Sequence, residues 1–303
     1  MFAIIGIVVV IGAILGGYLM EKGPLMVLMQ PAELLIIGGS AIGTLLIANP
    51  ISTVIKLLKG MTGLISGSKF TQPFYLENLK MLSDLFQFAR KNGLPKLEAD
   101  LDLPSKSPVF IKYPKFLADH HAVSFICDTL RMFISAGADP FDLDQMMELD
   151  MEVHHHEGQQ PTAALSSIAD ALPGLGIVAA VLGIVITMGA IGGPPEEIGK
   201  KVASSLVGTF LGILLCYGFV GPIAANLTKI GEAEGQYYHF LRVGLLAFIK
   251  GSSPMTAVEF ARRSVPSSVR PSFKELEAAC RGAGKAAAEG GKAGAEAPAA
   301  VAA

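Results

Sequence analysis

His154, His155, His156 and Glu157 form the densest run of metal-ligating side chains in the sequence. Zinc ligands on a helix need i, i+3 or i+4 spacing, as in HExxH, so that they leave one face together. Three consecutive histidines spread around a helix instead. They read as a polar collar where a helix meets a membrane surface. Gly174-x-Gly176 lacks the preceding strand, the third glycine and the following acid of a nucleotide-binding turn. No Ser–His–Asp constellation can be assembled, and Cys127, Cys216 and Cys280 are too scattered for a disulfide framework or a CxxC metal site. The expectation is a non-enzyme with no cofactor.

Other residues carry a different kind of promise. Pro173, in Pro173-Gly-Leu-Gly176, and Pro222, in Gly221-Pro222, each interrupt a long apolar stretch. An interior proline costs a helix about 3 kcal/mol through its missing donor and its ring clash. At similar depth in two antiparallel helices, the pair could serve as matched hinges. The polar groups in the apolar stretches are hydroxyls: Ser40, Thr44, Thr187, Ser204, Ser205, Thr209 and Tyr217. Glu33 stands at the edge of one stretch and reads as interfacial. A proton path needs an ionisable group within the membrane. Either the chain conducts nothing, or another chain brings the acid and these helices form a wall around it.

The elements that position these residues follow from where charge is missing. The 303 residues are 51% hydrophobic and 17% charged, with mean hydropathy +0.51. A soluble domain carries about 25% charged residues. Net charge −2 and pI ≈ 6.3 give no reason to expect nucleic-acid binding. Residues 1–20, 34–55, 171–195 and 202–228 contain no Asp, Glu, Lys or Arg. About 20 helical residues cross a hydrocarbon core, so four transmembrane helices are expected. Asn49-Pro50 interrupts the second window. The first lacks a basic n-region, and Gly16-Gly17-Tyr18 is a poor cleavage site, so this segment is expected to stay in the mature protein. Residues 56–170 hold eleven Lys and Arg and the segment after Thr228 holds ten, 21 of 24 in all. That bias places both segments, and both termini, in the cytoplasm.

Between the second and third spans the pattern is helical. Residues 75–92 place Leu76, Leu79, Leu82, Phe86 and Ala89 on one face, with Gly93 as the stop. A second helix is expected from Pro114 to Gly137, and a third from Asp139-Pro140 towards His154. Two more are expected over 231–250 and 255–263. The expected fold is therefore all-α and polytopic. It comprises a hairpin over 1–55, a cytoplasmic helical domain over 56–170, a second hairpin over 171–228 and cytoplasmic helices over 229–280. The Ala/Gly-rich 281–303 is expected to be a disordered tail.

The block ALPGLGIVAAVLGIVITMG around Pro173, YGFVGPIA around Pro222, and QFARKNGLPKLEAD with Arg90 and Glu98 resemble the MotA/PomA family of flagellar motor stator proteins over about residues 1–280. The resemblance implies a pentamer around two copies of MotB, whose single span carries the essential Asp. It implies that Pro173 and Pro222 couple protonation of that Asp to the cytoplasmic domain, and that Arg90 and Glu98 meet the rotor protein FliG. Sodium-type relatives have a threonine where this chain has Ala180. With Thr209 supplying the hydroxyl found in both types, the resemblance favours H⁺ over Na⁺ as the transported ion. It implies a proton channel of the bacterial inner membrane. The nearest alternative is an ExbB/TolQ-type energiser, which has three spans and no such charge pair.

Overall fold

The computed structural model describes residues 2–189 and 191–280, and every regular element among them is helical. In chain order the α-helices are α1 (Phe2–Met20), α2 (Leu25–Leu28), α3 (Pro31–Ala48), α4 (Ile51–Ser66), α5 (Gln72–Asn92), α6 (Leu94–Asp102), α7 (Pro114–Leu117), α8 (His120–Ser135), α9 (Pro140–Met188), α10 (Pro195–Leu214), α11 (Gly221–Ile249) and α12 (Pro254–Ser264), with a further helical stretch over 273–280. A π-helical stretch, Leu215–Val220, joins α10 to α11. Four helical stretches are long and apolar enough to cross a membrane: Ala3–Met20, Leu25–Ala48, Pro140–Met188 and Pro195–Ile249. The residues expected to form a tail, 281–303, lie outside the described residues.

Several boundaries differ from the sequence reading, each for a local reason. Asn49 is extended and Pro50 follows it, so α3 stops at Ala48 and a separate helix, α4, begins at Ile51. The helix expected from Pro114 breaks after one turn, because Asp119 caps a new one by accepting from the Ala122 N–H at 3.2 Å. The helix opened by Pro140 does not end near His154. It continues for 49 residues to Met188, with Pro161 as well as Pro173 in its interior.

The chain divides into two compact units. One comprises Met1–Ser68 and His156–Glu232. Within it, α3 packs on α10 and α4, and Ile37 and Ala41 bury against Ala169, Leu172, Ala179 and Cys216. Leu57 of α4 meets Leu165 and Ala224. Much of this unit's apolar surface faces outward: Ile47, Ile186, Leu206 and Tyr217 are all well exposed. So much uncovered apolar surface suits lipid or neighbouring helices, not water.

The other unit holds the remaining described residues, 69–155 and 233–280. Its core is densely aromatic. Tyr75, Phe86, Phe110, Tyr237, Tyr238 and Phe240 are buried with Leu79, Met81, Leu82 and Leu245. The Phe86 and Phe248 rings stack at 4.4 Å with a 4° interplanar angle, and the Tyr237 hydroxyl donates to Asn78 Oδ1 at 2.9 Å. This core lets the soluble helices present charged faces to solvent without loss of shape.

Candidate functional site

Pro173 has no N–H to donate, and Pro222 likewise, so each must be accommodated by its surroundings. Beside Pro173 the solution is close backbone contact. A methyl group added at Gly212 would lie 2.6 Å from the Leu172 carbonyl oxygen and 2.8 Å from the Gly176 Cα. One added at Gly176 would lie 2.8 Å from the Gly208 carbonyl oxygen. Helices α9 and α10 therefore meet backbone to backbone just after the proline, as small residues permit in membrane helix pairs. Farther along, Gly183 leaves room for the Ser205 side chain, whose Cβ would lie 2.8 Å from a methyl group there.

At Pro222 the chain widens. Leu215–Val220 is π-helical, and the Gly221 N–H donates to the Cys216 carbonyl five residues back. A methyl group at Gly221 would lie 2.9 Å from that oxygen. The wider turn relieves the proline ring, and such single-turn π segments are a recognised feature of functional helices. Pro173 is half-buried and Pro222 exposed. Ala180 is buried on α9, and Thr209 follows Gly208 on α10, half-buried.

Glu33, read from the sequence as interfacial, is packed against protein. It lies in the first turn of α3 and is only 7% exposed. Among the described residues its Oε2 is the one buried side-chain oxygen or nitrogen without a hydrogen-bond partner. A methyl group built on Gly208 would touch that oxygen at 3.1 Å, the Ala179 Cβ at 3.1 Å and the Ala180 nitrogen at 3.2 Å. Glu33 and Ala180 thus flank one bare stretch of α10. The apolar helices do contain a carboxyl group of this chain. Sequence position concealed it, because a residue near a helix start is ordinarily wet and only the fold sets Gly208 against it.

In the second unit, Arg90 is exposed in the last turn of α5, and Gly93, at φ +84°, turns the chain into α6. Glu98 on α6 is half-buried and accepts from the Ser135 hydroxyl of α8. Arg131 of α8 fastens the same helices by donating to the Leu101 carbonyl at 3.2 Å and to Asp102 Oδ1 at 3.3 Å on α6. His154 stacks on His121 at 4.0 Å, and both rings stand edge-on to Tyr238. Among the described residues no group of three or more His, Cys, Asp or Glu side chains is placed to hold a metal.

Fold and site together define a helical membrane protein with tightly packed, proline-bearing apolar helices. Residues 4–93 match the family model described as motility protein A N-terminal, and residues 118–238 match the MotA/TolQ/ExbB proton channel family. Motility protein A of Escherichia coli K12 is 40% identical over 277 residues, covering 91% of this chain and 94% of that protein. Chemotaxis protein LafT of Vibrio parahaemolyticus is 33% identical, covering 90% and 96%. The fold is that of the C. jejuni MotAB structure, with TM-score 0.72 at 17% identity over 89% of this chain and 98% of that one. The flagellar MotAB stator complex of Bacillus subtilis gives TM-score 0.68 at 24% identity over 85% and 92%. The chain belongs to the motility protein A family, within the MotA/TolQ/ExbB proton channel family.

Proposed function

We propose that this protein is the ion-conducting stator subunit of a bacterial flagellar motor. It spans the inner membrane four times, with both termini and the segment between the second and third spans in the cytoplasm. Its relatives of known structure are MotAB complexes, which supports assembly with MotB. In this reading about five copies ring two MotB helices, and MotB brings the essential Asp. Arg90 and Glu98 then act on FliG. The observation that carries the reading is the seam between α9 and α10, bordered by Pro173 at one end and followed by the π turn before Pro222. Neutralising the partner's Asp changes the field beside Ala180 and Thr209, and the two prolines are where these helices bend at least cost.

Ala180 supplies no oxygen to replace the water of a sodium ion, which favours H⁺. One charge crossing the membrane yields ~2.3 kcal/mol per 100 mV, and repeated steps of that size drive rotation. The match of residues 4–93 to the motility protein A N-terminal model favours the stator over an ExbB/TolQ-type energiser. Replacing Pro173 by Ala tests the hinge: the variant should reach the membrane and bind its partner while tethered-cell rotation stops. Normal rotation speed would overturn it.

A further inference from the structure

Two faces of the second unit leave large apolar side chains uncovered. The first is on the opening turns of α9. Phe141, Met146, Leu149 and Val153 are each more than half exposed, on the side of the helix turned away from the buried Leu143 and Met147. From Pro140 to Val153 the helix also carries Asp142, Asp144, Glu148, Asp150 and Glu152, and no Lys or Arg. That density of carboxylates excludes a lipid contact. Asp144 and Glu148 accept from Arg242 at 2.6 and 3.2 Å, which pins the start of α9 to α11, whereas Asp142 and Glu152 are exposed. The second face is a groove of about 350 Å³ lined by Met255, Thr256, Glu259, Phe260 and Arg263 of α12 and by Phe273. Phe260 and Phe273 are about half exposed. Glu259 is taken up by Arg262 and Arg263, Glu275 by Ser272 and Gln72. The Arg263 side chain is nevertheless 73% exposed, and Lys274, next to Phe273, is exposed as well. The groove is thus aromatic with a basic rim.

We propose that the acidic, apolar face of α9 in one copy of this chain docks in the basic, aromatic groove of α12 in the next copy. The inference rests on the ring reading above and names its contact in the cytoplasm. Both faces lie beside the last turns of α11, one on α9 and the other on α12, which packs on α5. Neither covers the other within one chain. Two unlike faces that fit each other make a head-to-tail contact, which repeats from copy to copy until a closed ring leaves none uncovered. Pairing like with like would stop at two copies and would set the acids of α9 against each other. Leu149 and Val153 supply the apolar anchors, and Asp142 and Glu152 beside them meet Arg263 and Lys274. Aromatic side chains, Met and Arg are the types enriched where proteins bind one another, and the flexible Met255 lets the groove adjust to its occupant.

The test uses the complex of this chain with its single-span partner, prepared from cells that express two differently tagged forms. One carries Leu149→Cys and the other Phe260→Cys, both with Cys280→Ser, since Cys127 and Cys216 are buried. A short bismaleimide should join the two tags at least fivefold more efficiently than it joins either form to itself. A chain with both cysteines should give a ladder of linked copies. Glu152→Lys should lower the yield between unlike forms at least threefold. Linking confined to like forms, a double variant closed only within its own chain, or an unchanged yield in Glu152→Lys would each overturn the proposal. Hydroxyl-radical footprinting asks the same question without substitutions. Met146, Leu149, Phe260 and Phe273 should be modified at least threefold less in the intact complex than in the chain dissociated by detergent, and equal modification would overturn the proposal too. A complex that holds a single copy of this chain by native mass spectrometry would instead defeat the ring reading.

Discussion

Glu98 and Arg90 differ in how freely they can act. Arg90 projects from the end of α5 into solvent, whereas the Glu98 carboxylate is steered by the Ser135 hydroxyl. A fixed acid and a mobile base make a charge pair that can read opposite charges on a partner with defined geometry. Because both lie outside the buried aromatic core, reversing them as Arg90→Glu with Glu98→Lys should leave folding and partner binding intact. Swimming in soft agar should fall severely, and unchanged motility would remove these residues from the proposed rotor contact. Arg90 was readable from sequence as a solvent-facing charge near a glycine turn, whereas Glu98, read the same way, is half-buried. The Ser135 contact was not, since it joins residues 37 positions apart in the chain.

At the scale of elements, α12 shows how local charge is built into stability. Ser253 caps it by accepting from the Thr256 N–H at 3.2 Å, and Pro254 opens its first turn. Glu259 receives both Nε and Nη2 of Arg262 at 2.7 Å and Nε of Arg263 at 2.8 Å. Those hydrogen bonds, Arg262 first, hold its carboxyl down to about 2, against 4.5 for an ordinary glutamate. Its contribution is therefore complete above pH 4.5 and is lost as pH falls towards 2. Amide hydrogen exchange in α12, corrected for its intrinsic pH dependence, should accelerate on acidification through that window. In Glu259→Gln it should be faster at neutral pH and respond less to acid. Helix periodicity revealed most of the soluble helices because their apolar faces repeat at three and four residues. It missed the break at Asp119, where a capping side chain overrides the periodic pattern, and the run of α9 past His154, which continues through Gly158 and Pro161 although both residue types ordinarily end a helix.

For the whole molecule, composition was the strongest signal: long charge-free windows identify the apolar helices before any coordinates. What composition could not show is which small residues face each other, so the bare seam and the buried Glu33 carboxyl emerged only from the fold. A sleeve that relies on a partner's acid should hold a gradient when that partner is missing. This chain purified alone into liposomes is expected to be tight to protons, as read by a trapped pH dye. Adding the single-span partner should open the path. A selective current through the chain by itself would contradict the division of labour between the two proteins.

The contact of Gly176, Gly208 and Gly212 with facing main chain has a mechanical meaning. Packed side chains act as a compliant layer, since rotamers can shift to absorb a few tenths of an ångström. Where a carbonyl oxygen meets an α-carbon directly, that slack is gone. A displacement of α9 at Leu172 would meet the α10 main chain with little between them to yield, the geometry of a stiff joint.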